Sequence, residues 1–217
     1  MDAFVNDIRL FYEQYGEGRP LVLLHGNGED HTIFNEAMEV LRERFTCFAL
    51  DSRGHGNSDP VDELHYADMA SDLLAFLEAL DLRDVALCGY SDGGIVALMA
   101  ARWTDRIKDL IVCGANTHPR GLKLRAYMDI RREHRQAPDI YNTVMLREPH
   151  IPAEDLRAIH ARTLVVAGSR DIIRERDTRF IAETIFGAEL LILPGEDHGS
   201  YVNHSDKIAH IIMDFCG

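Results

Sequence analysis

The sequence predicts an α/β fold, with a mostly parallel central sheet and helices on both faces. Two observations carry the prediction. Short, almost wholly apolar runs of strand character alternate with segments whose apolar residues recur at helical spacing. Nearly every apolar run ends in a polar or glycine-rich loop. In such a sheet those loops converge on the carboxyl edge of the strands, where open α/β sheets bind their ligands.

Residues 3–15 read as two short strands turning at Asn6-Asp7, an antiparallel addition to the sheet edge. Gly16 to Pro20 reads as a turn, and Leu21–Leu24 as a buried strand running into His25-Gly26-Asn27-Gly28. Residues 31–44 place Ile33, Phe34, Ala37, Met38 and Leu41 on one helical face. Phe45–Leu50 is a strand that opens into Asp51-Ser52-Arg53-Gly54-His55-Gly56-Asn57-Ser58. Residues 66–80 are helical, with Met69, Leu73, Phe76, Leu77 and Leu80 turned inward. Asp84–Cys88 is an apolar strand and Ile95–Ala101 a good helix former, with Gly89-Tyr90-Ser91-Asp92-Gly93-Gly94 between them. Arg106–Cys113, Thr163–Ala167 and Leu190–Leu193 supply three more strands. A helix near 174–186 separates the last two, and another spans about 205–215. One interval, 116–161, has helical stretches but no strand. It reads as a reduced lid, or cap, inserted within a single domain that occupies residues 1–217.

Bulk properties narrow the function classes. Apolar residues form 46% of 217, enough for one large core. The net charge of −13 argues against a nucleic-acid partner, because phosphate contacts need Lys and Arg. It equally disfavours a membrane surface. The opening residues Met1–Asp7 are acidic and lack the apolar stretch of a secretory leader. Cys47, Cys88 and Cys113 fall inside strand-like runs, Cys216 lies beside the end, and their spacing fits no zinc pattern. They read as reduced core residues, which gives cytoplasmic as the expected location. No motif asks for a metal or an organic cofactor.

The chemistry centres on Ser91. A serine on a tight turn between strand and helix, with glycines two residues to either side, fits a nucleophile elbow. Side chains at the flanking positions would collide with strand or helix, and glycine has none. Chance supplies the pattern in roughly one chain in fifteen of this length, so the elbow counts only with partners. Serine is a weak nucleophile at neutral pH and needs a base, which in turn needs an orienting acid. Among eleven histidines, His198 in Gly195-Glu196-Asp197-His198-Gly199 follows the last strand and is the best base. Asp171 in Gly168-Ser169-Arg170-Asp171 follows the preceding strand and is the best acid; Asp197 is its rival. An oxyanion site needs two backbone N–H groups. Asp92 supplies one, directly after the nucleophile, and Asn27 the other, from the loop after Leu21–Leu24.

Together these signatures resemble the serine α/β-hydrolase superfamily over almost the full length of the chain, esterase-like and with a short lid. The resemblance implies attack of Ser91 on an acyl carbonyl, an acyl-enzyme, and hydrolysis by water that His198 activates. It implies scaffolding roles for Arg53 and His55. Ser91 disfavours the epoxide and carbon–halogen chemistry of relatives that carry Asp there. The expected activity is hydrolysis of a carboxylic ester of a small molecule. Two alternatives stand beside it: C–C bond or thioester hydrolysis by the same triad, and a ligand-binding, receptor-like protein on the same fold. The short lid implies a shallow or open pocket. Residues 119–136 carry a charge of +4 on an otherwise acidic chain. They read as a solvated helix face, with steering of anionic substrates as the competing reading.

Overall fold

The computed structural model describes all residues from Met1 to Gly217. Eight strands form one sheet: β1 (Asp2–Val5), β2 (Ile8–Tyr15), β3 (Arg19–Leu24), β4 (Phe45–Leu50), β5 (Val85–Tyr90), β6 (Ile107–Cys113), β7 (Arg162–Gly168) and β8 (Glu189–Leu193). Their spatial order is β1-β2-β4-β3-β5-β6-β7-β8. The hairpin β1–β2 is antiparallel, as is its junction with β4, and every other pairing is parallel. Asn6 and Asp7 both hold positive φ in the hairpin turn (47° and 59°), a conformation Asn and Asp tolerate better than most residues.

The central strands are buried on both faces, so they read as unbroken apolar runs; β5 has all six residues buried. Helices α1 (Asn35–Leu41) and α8 (Lys207–Cys216) cover one face, with Phe34, Leu41, Ile208 and Ile212 in the core. Helices α2 (Tyr66–Ala79), α3 (Asp92–Ala101) and α7 (Glu175–Thr184) cover the other, through Leu73, Phe76, Ile95, Leu98 and Ile181. No helix is long and apolar enough to cross a membrane.

The helix expected over 31–44 is shorter. A 3-10 turn, His31–Phe34, starts after Asp30, whose carboxylate accepts the Thr32 N–H at 2.9 Å. The α-helical part ends at Leu41, because the amphipathic pattern gives way to Arg42-Glu43-Arg44. The turn expected at 16–20 is shorter too, as Arg19 and Pro20 already pair with Phe45 and Thr46.

Between β6 and β7 the chain forms a 3-10 turn, Pro119–Gly121, and helices α4 (Leu124–Gln136), α5 (Ile140–Arg147) and α6 (Ala153–Arg157). Helix α4 buries no residue. Arg125 and Arg132 both pair with Asp129, and the Arg125 side chain is 96% exposed, so this basic stretch is a solvated face. The start of the segment is stitched to the loop after β7. Leu122 bridges Ile173, and the Lys123 N–H donates to Ile172 O at 2.8 Å.

Candidate active site

Ser91 lies at the end of β5 and at the N-cap of α3, with φ 52° and ψ −116°. That region is costly for any residue bearing a Cβ and persists only where neighbours over-determine it. Here the Ser91 N–H donates to Cys113 O at 2.8 Å, and Ser91 O accepts from Ile95 N at 3.1 Å. A Cβ at Gly89 would lie 2.2 Å from Gly93 O, and one at Gly93 would lie 2.3 Å from Leu24 O. The elbow therefore requires both glycines for close backbone approach.

His198, in the loop after β8, places Nε2 3.0 Å from Ser91 Oγ. Its Nδ1 lies 2.7 Å from Oδ1 of Asp171, in the loop after β7. The network assigns the tautomer: Nδ1–H donates to the carboxylate, leaving Nε2 to accept the serine proton. Asp171 is buried, and the same Oδ1 also accepts the Ile173 N–H at 2.8 Å. The Tyr90 ring packs on the imidazole at a centroid distance of 5.2 Å. Asp197 is elsewhere: its Oδ1 accepts the N–H groups of Gly199 and Ser200, which holds its pKa below the usual carboxylate range.

The N–H groups of Asn27 and Asp92 have no acceptor within the protein. For Asp92 this follows from its place as first residue of α3, where no preceding turn supplies a carbonyl. Gly26, next to Asn27, sits close to the nucleophile: a Cβ there would lie 3.1 Å from Ser91 Cβ. The loop is fixed from behind. His25 Nδ1–H donates to Gly26 O at 2.7 Å, and its Nε2 accepts the Ser52 N–H at 3.1 Å. Burial, reinforced by His55, lowers the His25 pKa to about 4. Glu29 Oε2 accepts the Gly26 N–H at 3.0 Å.

Arg53 and His55 do not reach Ser91. Arg53 forms a double hydrogen bond to Asp72, both at 2.6 Å, and the His55 ring packs at a tilt against His25 and edge-on to Tyr141. The Asp92 side chain turns inward, and burial pushes its pKa up to about 7 against the opposing pull of Tyr66 and His198. The Tyr66 hydroxyl lies beside this carboxyl without closing a well-formed hydrogen bond.

The space over Ser91 is narrow rather than open, a cavity of about 30 Å³. Leu122, Ile130, Met145, Ile172 and Ile173 wall it. The helices between β6 and β7 are short, but Ile130 of α4 and Met145 of α5 reach inward far enough to fill it.

Sequence reasoning missed Gly114, just after β6, which adopts φ +59°. A Cβ there would lie 2.9 Å from His198 Cε1 and 3.3 Å from Asp171 Oδ2. It also missed Tyr141, whose hydroxyl donates to Gly54 O at 2.6 Å and whose carbonyl accepts Asn27 Nδ2 at 3.0 Å. The only sequence signal for Gly114 is a glycine following a strand, which many loops share.

Known proteins share the fold of this chain. The family profile described as alpha/beta hydrolase fold matches residues 19–133. A serine hydrolase of the mouse, BPHL, is 29% identical over 244 aligned positions, covering 97% of this chain and 84% of that protein. Among solved structures, an esterase from Exiguobacterium antarcticum superposes with a TM-score of 0.85 at 20% identity, covering 99% of this chain and 98% of that one. The enol-lactonase from Burkholderia xenovorans LB400 superposes with a TM-score of 0.82 at 20% identity, covering 100% and 99%.

Proposed function

The chain belongs to the alpha/beta hydrolase fold family and is an enzyme of that type, and from this premise we propose that it cleaves a carboxylic ester of a small molecule through an acyl-enzyme on Ser91. The observation that carries the reading is the relay Ser91 Oγ–His198 Nε2–His198 Nδ1–Asp171 Oδ1, at 3.0 and 2.7 Å. His198 takes the serine proton as Oγ attacks the carbonyl carbon. The N–H groups of Asn27 and Asp92 receive the negative charge that develops on the carbonyl oxygen; one such donor contributes about 10²–10³ in rate. The tetrahedral adduct collapses, and His198 returns the proton to the departing alkoxide. Water then repeats the sequence in place of serine, releasing the acid and regenerating Ser91. Asp171 accepts the Nδ1–H and orients the imidazole.

Residues 116–161 act in this reading as a reduced cap. A 30 Å³ space holds little more than water, so an ester enters only if the Ile130 and Met145 side chains yield. A cytoplasmic location is supported by four free thiols. The test is a panel of p-nitrophenyl esters of increasing acyl length, with thioesters and lactones, run on the protein and on Ser91→Ala. Ester turnover that disappears in the variant, with the fold intact, is the expected result. Turnover retained by Ser91→Ala removes the nucleophile, and turnover of thioesters alone moves the reading to that bond.

A further inference from the structure

The outer side of the cap carries a second feature that the ester reading does not use. His118, Arg120, Tyr127, Arg147 and His150 line a hollow of about 530 Å³, and no Asp or Glu lines it. This is an unusual neighbourhood on a chain of net charge −13.

The nearby carboxylates are committed elsewhere. Glu148 follows Arg147 in sequence, yet its side chain turns to the start of α2. There it lies 2.7 Å from His65 Nδ1 and accepts the Tyr66 N–H at 3.1 Å. Asp177 comes within 4.0 Å of His118 Nε2, but it is buried and holds the N–H and hydroxyl of Thr117 at 2.8 and 3.0 Å. Neither Arg120 nor Arg147 forms an ion pair, and neither guanidinium donates to any protein acceptor. His118 Nδ1 is shielded from solvent and has no partner. Two exposed guanidinium groups without protein partners, two imidazoles and a phenol thus line one hollow. Guanidinium groups match the paired oxygens of phosphate and carboxylate better than any other side chain.

We propose that this pocket binds a small molecule through an oxyanion, a phosphate or carboxylate group held between Arg120 and Arg147 with the two histidines beside it. The site is separate from the Ser91 cavity, but residues lining the two are neighbours in sequence. Pro119-Arg120-Gly121 leads directly into Leu122, and Leu146 and Arg147 follow Met145; Leu122 and Met145 both face Ser91. The proposal does not depend on the ester reading.

Calorimetric titration of the full chain with inorganic phosphate and with citrate, at constant ionic strength set by sodium chloride, tests it. Saturable binding of at least one is expected, weakened at least about tenfold in the Arg120→Ala, Arg147→Ala double variant. The Arg125→Ala, Arg132→Ala variant removes equal charge from the exposed face of α4 and is expected to bind as before. Binding of phosphate alone, or of citrate alone, assigns the oxyanion class. Circular dichroism follows the fold, and Arg120→Gln and Arg147→Gln are read singly if the double variant unfolds. Absence of saturable binding by either anion overturns the proposal. So does equal binding by the Arg120, Arg147 variants, or equal loss in the α4 variant.

Discussion

A hydrogen on the Cα of Gly114 leaves room for the imidazole of His198, and a methyl there would press on it at 2.9 Å. Gly114→Ala is therefore expected to fold but to displace His198, lowering kcat by about 10²-fold with a smaller change in KM, as steady-state kinetics on a p-nitrophenyl ester would show. The two carboxylates near His198 separate in the same assay. Asp171→Asn removes the acceptor at 2.7 Å from Nδ1 and is expected to slow turnover by about 10²- to 10⁴-fold. Asp197→Asn alters only turn hydrogen bonds and leaves kcat within a few-fold. The reverse order would assign the acid to Asp197. Asp92 gives a thermodynamic handle. Its carboxyl takes up a proton near pH 7 in the folded chain but near 3.9 when unfolded. The folded state therefore binds more protons in that window, and stability contributed by the neutral carboxyl is lost as pH rises. Asp92→Asn stays neutral, so its stability relative to the parent is expected to rise by about 2 kcal/mol between pH 5 and pH 7, measured by urea unfolding. A pH-independent difference would place the carboxyl in water.

At the scale of elements, the strands were legible because strands buried on both faces are apolar where they cross the core, as in Leu21–Leu24, Val85–Tyr90, Leu110–Cys113 and Leu164–Gly168. The 31–44 pattern fixed the inward face but not the helix type, since 3-10 and α spacings agree over a single turn. The helices between β6 and β7 were legible as helical and no further. Helix α4 buries no residue, so its apolar stripe alone does not tell how deeply it docks. Docking depends on α5, where Tyr141 joins the loop at Gly54 to the loop at Asn27. Tyr141→Ala removes the ring and the hydroxyl while keeping the carbonyl. It is expected to cost about 2 kcal/mol of stability and to speed proteolytic cleavage between residues 124 and 147. Unchanged proteolysis would show that α5 is held by other contacts.

Across the whole molecule, the proposed site draws on the ends of strands far apart in sequence: Asn27 follows β3, Ser91 follows β5, Asp171 follows β7 and His198 follows β8. A parallel sheet aims every strand end at one edge, which is why those four could be named from residues that each follow an apolar run. Gly114 and Tyr141 could not, because their importance lies in what faces them in space. The narrow cavity could not be read either: a short insertion suggests an open pocket, and only the inward reach of Ile130 and Met145 closes it. Ser91 as the atom that becomes acylated is the claim on which the functional account turns. Peptide mass spectrometry after brief incubation with a fluorophosphonate tests it most directly. A single adduct on the peptide carrying Ser91, absent in Ser91→Ala and slowed in His198→Ala, is the predicted result. An adduct on another residue, or no adduct on an enzyme that still turns over esters, would contradict it.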